Sequence, residues 1–137
     1  MSQKKRWHYR FDNYKKALGL LREGIELRKI QVLSSLEAEG VIQRFEYTWE
    51  LAWKMLKDYL EHEGVVFDKI TPKSVIITAI QSKIIADREI WMQALDDRNK
   101  MSHQYDQSIY VHVIDNIQHQ YLPLFEELDA QLEKEVR

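Results

Sequence analysis

Apolar residues recur at helical spacing along most of this chain, in stretches that glycine and proline rarely interrupt. With four glycines and two prolines in 137 residues, the pattern fits long helices better than strands and turns. It predicts an all-α protein, an up-and-down helical bundle of about five helices. It also predicts a single domain over residues 1–137, of which residues 1–8 are expected to be loose.

The first two predicted helices cover residues 12–30 and 34–63. Ser34 and Glu37 match the S-x-x-E pattern of a capping box, in which each side chain satisfies a free amide of the other residue. Gly64 supplies a stop, because glycine readily adopts the left-handed conformation that closes many helices. The long apolar stripe of the second helix makes it the expected spine of the domain.

The third and fourth predicted helices are shorter. Thr71 can cap the third helix, and Pro72 fits its first position, where no amide hydrogen is needed. We expect this helix to end at about Ile85. Asp87 then opens a fourth helix, which leads directly into Arg98.

The last predicted helix is the longest apolar stretch after residue 100. Asp106 is placed to cap it. Pro123 is expected to kink it, because proline lacks the amide hydrogen and its ring crowds the preceding turn. The pattern therefore predicts one long, kinked helix to about Leu132.

Composition narrows the classes of protein. The absence of cysteine excludes thiolate catalysis and cysteine-ligated zinc, and it favours a reducing compartment, so the expected location is cytoplasmic. No apolar run approaches the roughly 18 residues of a membrane span, and no membrane partner is expected. A net charge of −2 gives no overall basic field, so any contact with nucleic acid requires a local patch or a cleft between subunits.

The richest chemistry lies in residues 98–105, which include Arg98, His103 and Tyr105. Arginine offers a planar fork of donors to a phosphate, and histidine exchanges a proton near neutral pH. On a straight helix Arg98 and His103 diverge by about 140°. Either the helix ends near Ser102, or a two-fold axis brings Arg98 of one subunit toward His103 of another.

Carboxylates near this motif have two interpretations. Arg98 can pair with Asp97 on its own helix, in which case His103 is only a polar residue at a helix end. Alternatively, Glu46 or Glu50 on the second helix orients Arg98 within a polar network. Without cysteines or a tight cluster of His, Asp and Glu, the sequence gives little support to metal-assisted chemistry, so no cofactor and no metal are expected.

The pattern R-x4-H-x-Y, together with residues 44–54, resembles the HEPN superfamily. Within it, the chain looks like the group of nucleotidyltransferase substrate-binding proteins that pair with a minimal nucleotidyltransferase (MNT). The resemblance covers residue 40 to the C-terminus. It implies a homodimer with a composite cleft and a ribonuclease mechanism in which His103 is the general base and Arg98 stabilises charge on the phosphate.

The resemblance also implies a role for Tyr105. In the toxin branch of this family, the MNT partner transfers AMP to the tyrosine of H-x-Y and so silences the nuclease. The chain itself has no G-S followed by paired D-x-D carboxylates, so nucleotide transfer must reside in a separately encoded protein. Three functions stay open: a metal-independent endoribonuclease toxin, a non-catalytic subunit that binds the nucleotide acceptor or scaffolds the MNT partner, and a stand-alone helical interaction module.

Overall fold

The computed structural model describes residues 6–101 and 106–136, and helices account for most of them. In order, these are α1 (Arg6–Ile30), α2 (Ser35–His62), α3 (Pro72–Gln81), α4 (Arg88–Met101), α5 (Gln107–Asn116), a π-helical turn (Ile117–Tyr121) and α6 (Leu122–Val136). The predicted all-α bundle is confirmed. Within these two ranges, no helix combines the length and apolar character needed to cross a lipid bilayer.

Local signals placed several helix ends correctly. The side chains of Ser34, Thr71 and Asp106 each accept a hydrogen bond from a backbone amide two or three residues further along the chain. Gly64 adopts a left-handed φ of 97° after α2, and the Val65 amide donates to the Leu60 carbonyl at 2.9 Å. That pair of features is a Schellman motif, so the predicted glycine stop is confirmed.

The N-terminal end of α1 corrects our expectation. The helix begins at residue 6 instead of residue 12, so residues 6–8 are not loose. Trp7 is 2% exposed and packs edge-on against Tyr59 of α2, with ring centroids 5.1 Å apart. Arg10 donates to the buried carboxylate of Asp58. Burial of an aromatic ring and an ion pair with α2 therefore extend the helix beyond its local signals.

The third helix is shorter than expected, because it ends at Gln81 instead of Ile85. Lys83 adopts a left-handed φ of 64°, and the Ile84 amide donates to the Ala79 carbonyl at 3.1 Å. This is again a Schellman closure, here without glycine. Ile84 and Ile85 therefore lie in a bend after the helix. The apolar periodicity alone predicts them to be helical.

The predicted long fifth helix is divided. α5 and α6 are separated by the π-helical turn, in which the Leu122 amide donates to the Ile117 carbonyl five residues earlier. Pro123 follows at once, and its missing amide hydrogen and its ring prevent a regular α-helical pattern here. The kink expected at Pro123 is therefore observed as a π-helical turn, which is wider than a turn of an α-helix.

Aromatic side chains form the centre of the core where α2, α4 and α6 meet. Phe45 of α2 stacks on Tyr121 with ring centroids 5.4 Å apart, and Trp49 lies 5.8 Å from Trp91 of α4. These rings are at most 1% exposed. Their packing places the C-terminal half of α4 beside the middle of α2, which sets the position of Arg98.

Candidate functional site

Arg98 extends the core-facing stripe of α4 beyond the core. Trp91 and Ala94 are buried on this stripe, and Arg98 lies seven positions after Trp91, on nearly the same face. At this position along α4, Arg98 contacts the polar side of α2. Its Nη2 atom lies 2.6 Å from Oε1 of Glu50, and the two side chains are 30% and 29% exposed.

Glu50 is the centre of this polar contact. Its other oxygen, Oε2, accepts a hydrogen bond from Nε1 of Trp53 at 3.2 Å and lies 3.6 Å from Nζ of Lys54. Both partners are on α2, three and four positions further on, so the helix itself orients the carboxylate. Of the two glutamates that the sequence offered as partners, Glu50 is the one in contact with Arg98.

Glu46 lies one turn before Glu50 and is half-buried. Burial raises the pKa of Glu46, and the positive charge of Arg98 acts in the opposite direction. Paired carboxylates can hold a cation, but Glu50 is already engaged by an arginine. Among residues 6–101 and 106–136, no three His, Asp or Glu side chains form a group able to hold a metal ion.

Asp97 has partners that the sequence did not indicate. It is 4% exposed, and its carboxylate accepts hydrogen bonds from the Tyr121 hydroxyl and from Nδ2 of Asn116, the second at 3.0 Å. Adjacent residues diverge by about 100° on a helix, so Asp97 faces the π-helical turn while Arg98 faces α2. Asp115 precedes Asn116 and Gln118 follows two positions later, so nothing in the sequence singled out Asn116 for this contact.

Ser102, His103 and Tyr105 lie outside the described residues. The described part of α4 ends at Met101, and Asp106 caps α5 on the other side of this segment. The convergence of His103 with Arg98, within one subunit or between two, therefore stays a prediction.

A cleft of about 300 Å³ lies between α4 and α5, on the Asp97 side of α4. Its polar lining comes from Asp97, Lys100, Ser108 and His112. Sequence reasoning missed this cleft, because its residues belong to two helices separated by the motif. The cleft brings Lys100 of α4 and His112 of α5 into one lining with the carboxylate of Asp97. The Ser108 hydroxyl donates to Oδ1 of Asp106 at 2.8 Å.

These features define an all-α protein with a phosphate-suited arginine at a helix end, held by a glutamate of the neighbouring helix. The family model described as nucleotidyltransferase substrate-binding-like proteins matches residues 9–134. The chain therefore belongs to this family, and the assignment suggested by its motifs is confirmed.

Individual relatives agree with this assignment. The chain is 37% identical over 71 residues to a protein of Haemophilus influenzae named "Probable ribonuclease HepT", and the match covers 50% of this chain and 49% of that protein. The chain thus matches about half the length of this curated relative.

Two solved structures share the fold. A protein of Thermus thermophilus has a TM-score of 0.69 at 31% identity, over 90% of this chain and 98% of its own. HI0074 of Haemophilus influenzae has a TM-score of 0.77 at 26% identity, over the same shares, and its structure is described as the fold of a substrate binding domain of a nucleotidyltransferase.

Proposed function

We propose that this chain is a metal-independent endoribonuclease, the HEPN toxin of a toxin–antitoxin pair whose antitoxin is a separately encoded MNT nucleotidyltransferase. The observation that carries the proposal is the placement of Arg98, half-exposed at the end of α4 and oriented by Glu50. The similarity to a probable ribonuclease supports the same interpretation. We expect the protein to act in the cytoplasm as a single-domain subunit.

The proposed reaction uses the 2′-hydroxyl of RNA. His103 accepts the proton of that hydroxyl, the 2′-oxygen attacks the adjacent phosphorus, and the bond to the 5′-oxygen breaks. Arg98 stabilises the negative charge on the non-bridging oxygens as it builds up. The products are a 2′,3′-cyclic phosphate and a 5′-hydroxyl end, after protonation of the leaving oxygen. DNA lacks the attacking group and would not be cut.

The site is proposed to be shared between two subunits. On one helix Arg98 and His103 point in directions about 140° apart, so a two-fold axis is the simpler way to bring them to one phosphate. The outward face of α2 next to Glu46 and Glu50 carries Tyr47, which is 57% exposed. An exposed aromatic residue beside the site is typical of an interface between subunits.

The test is incubation of the purified chain with RNA in the presence of EDTA. We expect cleavage that leaves cyclic phosphate ends, and a loss of at least about 100-fold in Arg98→Ala and in His103→Ala. Arg22→Ala is the matched control, because Arg22 is also half-exposed and lies 3.9 Å from a carboxylate, that of Glu126. If the wild-type chain leaves diverse RNAs intact, the ribonuclease proposal is wrong.

The second candidate is a non-catalytic subunit that binds the substrate of a nucleotidyltransferase. The family description and the description of HI0074 favour it. In that case the chain binds RNA or a nucleotide without cutting it, and the partner transfers nucleotides efficiently only when the chain is present. The RNA assay, repeated with the partner and ATP, separates the two functions.

A further inference from the structure

A hydrogen-bonded network joins the last turns of α4 to the π-helical turn. The carboxylate of Asp97 accepts from Tyr121 and Asn116. One turn earlier, Nε2 of Gln93 donates to Oε1 of Gln120 at 3.1 Å. Two successive layers of polar contacts therefore hold α4 in the turns that lead into Arg98.

The π-helical turn allows two residues to reach the same carboxylate. Asn116 and Tyr121 are five positions apart, and on a regular α-helix their side chains would diverge by about 140°. In a turn whose hydrogen bonds run between residues five apart, such residues return to the same side of the helix, as residues four apart do in an α-helix. The wide turn between α5 and α6 thus helps to bring Asn116 and Tyr121 to the same carboxylate, and turns of this kind are frequent at functional sites.

We propose that Asp97 is a positioning residue for Arg98: by tying α4 to Tyr121 and Asn116, it sets the direction in which the arginine leaves the helix. The inference rests on the proposed function of Arg98. The two residues are consecutive, so a rotation of this turn of α4 moves both by the same angle. Apolar packing is not directional, whereas hydrogen bonds weaken steeply as their angle departs from linearity. The buried polar contacts therefore restrict a rotation that the aromatic core alone would tolerate.

The donor in this network does not change with pH. Burial and the hydrogen bond to Asp97 raise the pKa of Tyr121 far above its ordinary value. The phenol thus keeps its proton across the whole range in which RNA cleavage is measured. Titration of Tyr121 therefore does not alter the pH profile of RNA cleavage, and variants that lose the network can be compared with the wild-type chain on that basis.

The test compares two variants that each lose one buried tyrosine hydroxyl. Tyr121→Phe removes the hydroxyl that donates to Asp97. Tyr14→Phe removes another buried hydroxyl, which donates to the Phe125 carbonyl at 2.7 Å, far from Arg98 in the sequence. Both tyrosines are 0% exposed, so both variants should lower the thermal midpoint, Tyr121→Phe by more because its hydroxyl donates to a carboxylate. We expect only Tyr121→Phe to lower kcat, by about tenfold with KM within about twofold, because a misplaced charge affects the reaction more than binding.

Substitutions of Asp97 give a second, independent comparison. Asp97→Asn keeps an oxygen that can accept from Tyr121, and it should retain kcat within about threefold. Asp97→Ala removes both bonds and should lower kcat by about 100-fold. Equal losses in the two variants, or equal kcat in Tyr121→Phe and Tyr14→Phe, would overturn the positioning role.

Hydrogen exchange keeps this inference separate from the proposed function. The amides of residues 98–101 should exchange about tenfold faster in Tyr121→Phe than in Tyr14→Phe. The reason is that the hydrogen bonds to Asp97 restrict opening of the last turn of α4. If the wild-type chain cuts no RNA but this difference is present, the ribonuclease proposal fails and the positioning of Arg98 stands. If the exchange rates of the two variants are the same, the positioning inference fails, whatever the activity.

Discussion

Arg98 and Glu50 are 48 positions apart in the sequence and 2.6 Å apart in the structure. The pair joins Arg98, the first residue of the R-x4-H-x-Y motif, to the segment of α2 that completes the family resemblance. Both side chains remain about 30% exposed, so the arginine is oriented and still accessible to a ligand. This combination is what a phosphate-binding arginine requires.

The Arg98–Glu50 pair should show a measurable coupling energy. In a double-mutant cycle with Arg98→Gln and Glu50→Gln, we expect a coupling of about 0.5–1 kcal/mol in the free energy of unfolding, which is modest because water screens half-exposed charges. The same cycle on Arg22 and Glu126, whose atoms are 3.9 Å apart, should give a value near zero. Equal couplings would mean that the short contact is not maintained in solution.

Glu46 should make stability depend on pH in a recognisable direction. Because burial raises the pKa of Glu46, its neutral form is favoured in the folded protein. The stabilisation it contributes is present below the unfolded pKa and is lost as pH rises through the folded pKa. Glu46→Gln should therefore gain in free energy of unfolding, relative to wild type, as pH rises above the ordinary glutamate pKa of about 4.3.

Glu37 is a control for the Glu46 prediction, because its pKa is shifted in the opposite direction. Hydrogen bonds from the backbone and side chain of Ser34 lower the pKa of Glu37. Its contribution is present above the unfolded pKa and is lost as pH falls through the folded pKa. Denaturant unfolding at several pH values should thus show Glu37→Gln losing stability, relative to wild type, as pH rises. A shared direction for both variants would contradict the assignment for Glu46.

Two glycines of α1 should respond oppositely to alanine. A Cβ atom on Gly24 would lie 2.9 Å from Cγ2 of Val41, whereas nothing lies within 4 Å of one on Gly19. We expect Gly24→Ala to reduce the free energy of unfolding by about 1–3 kcal/mol through overpacking. Gly19→Ala should raise it by about 0.5–1 kcal/mol through helix propensity. Stabilisation by both would show that α1 and α2 are further apart than described.

The composite cleft predicts a dimer in solution. Sedimentation velocity at micromolar concentration should give twice the chain mass. Tyr47→Glu should dissociate the dimer, because it would bury a charge in the proposed interface. Tyr9 has the same exposure of 57% but lies on α1, so Tyr9→Glu should leave the dimer intact. A monomeric wild-type chain would rule out the shared site.

Tyr105 is predicted to be the acceptor through which the MNT partner controls the protein. Its hydroxyl would attack the α-phosphate of ATP and displace pyrophosphate, which leaves an AMP group whose charge competes with RNA for Arg98. Coexpression with the nucleotidyltransferase should produce AMP-sized mass increments that are lost in Tyr105→Phe. Increments that persist in this variant would assign the acceptor to another residue.

Local chemistry determined much of the fold from the sequence alone. The caps at Ser34, Thr71 and Asp106 and the stop at Gly64 depend on atoms within a few residues of one another, so their signals can be read directly. Helical periodicity likewise predicted the all-α class. The motif with Arg98 was also visible, because its residues are close in sequence.

Contacts between distant segments decided the rest. The burial of Trp7 against α2 extended α1, and only the packing of α4 on α2 chose Glu50 over Glu46 as the partner of Arg98. The bonds from Tyr121 and Asn116 to Asp97 form at a wide turn, whereas Pro123 in the sequence predicted only a kink. In each case the energy comes from groups that are far apart in the chain and meet only after the core has formed, so the sequence alone could not specify them.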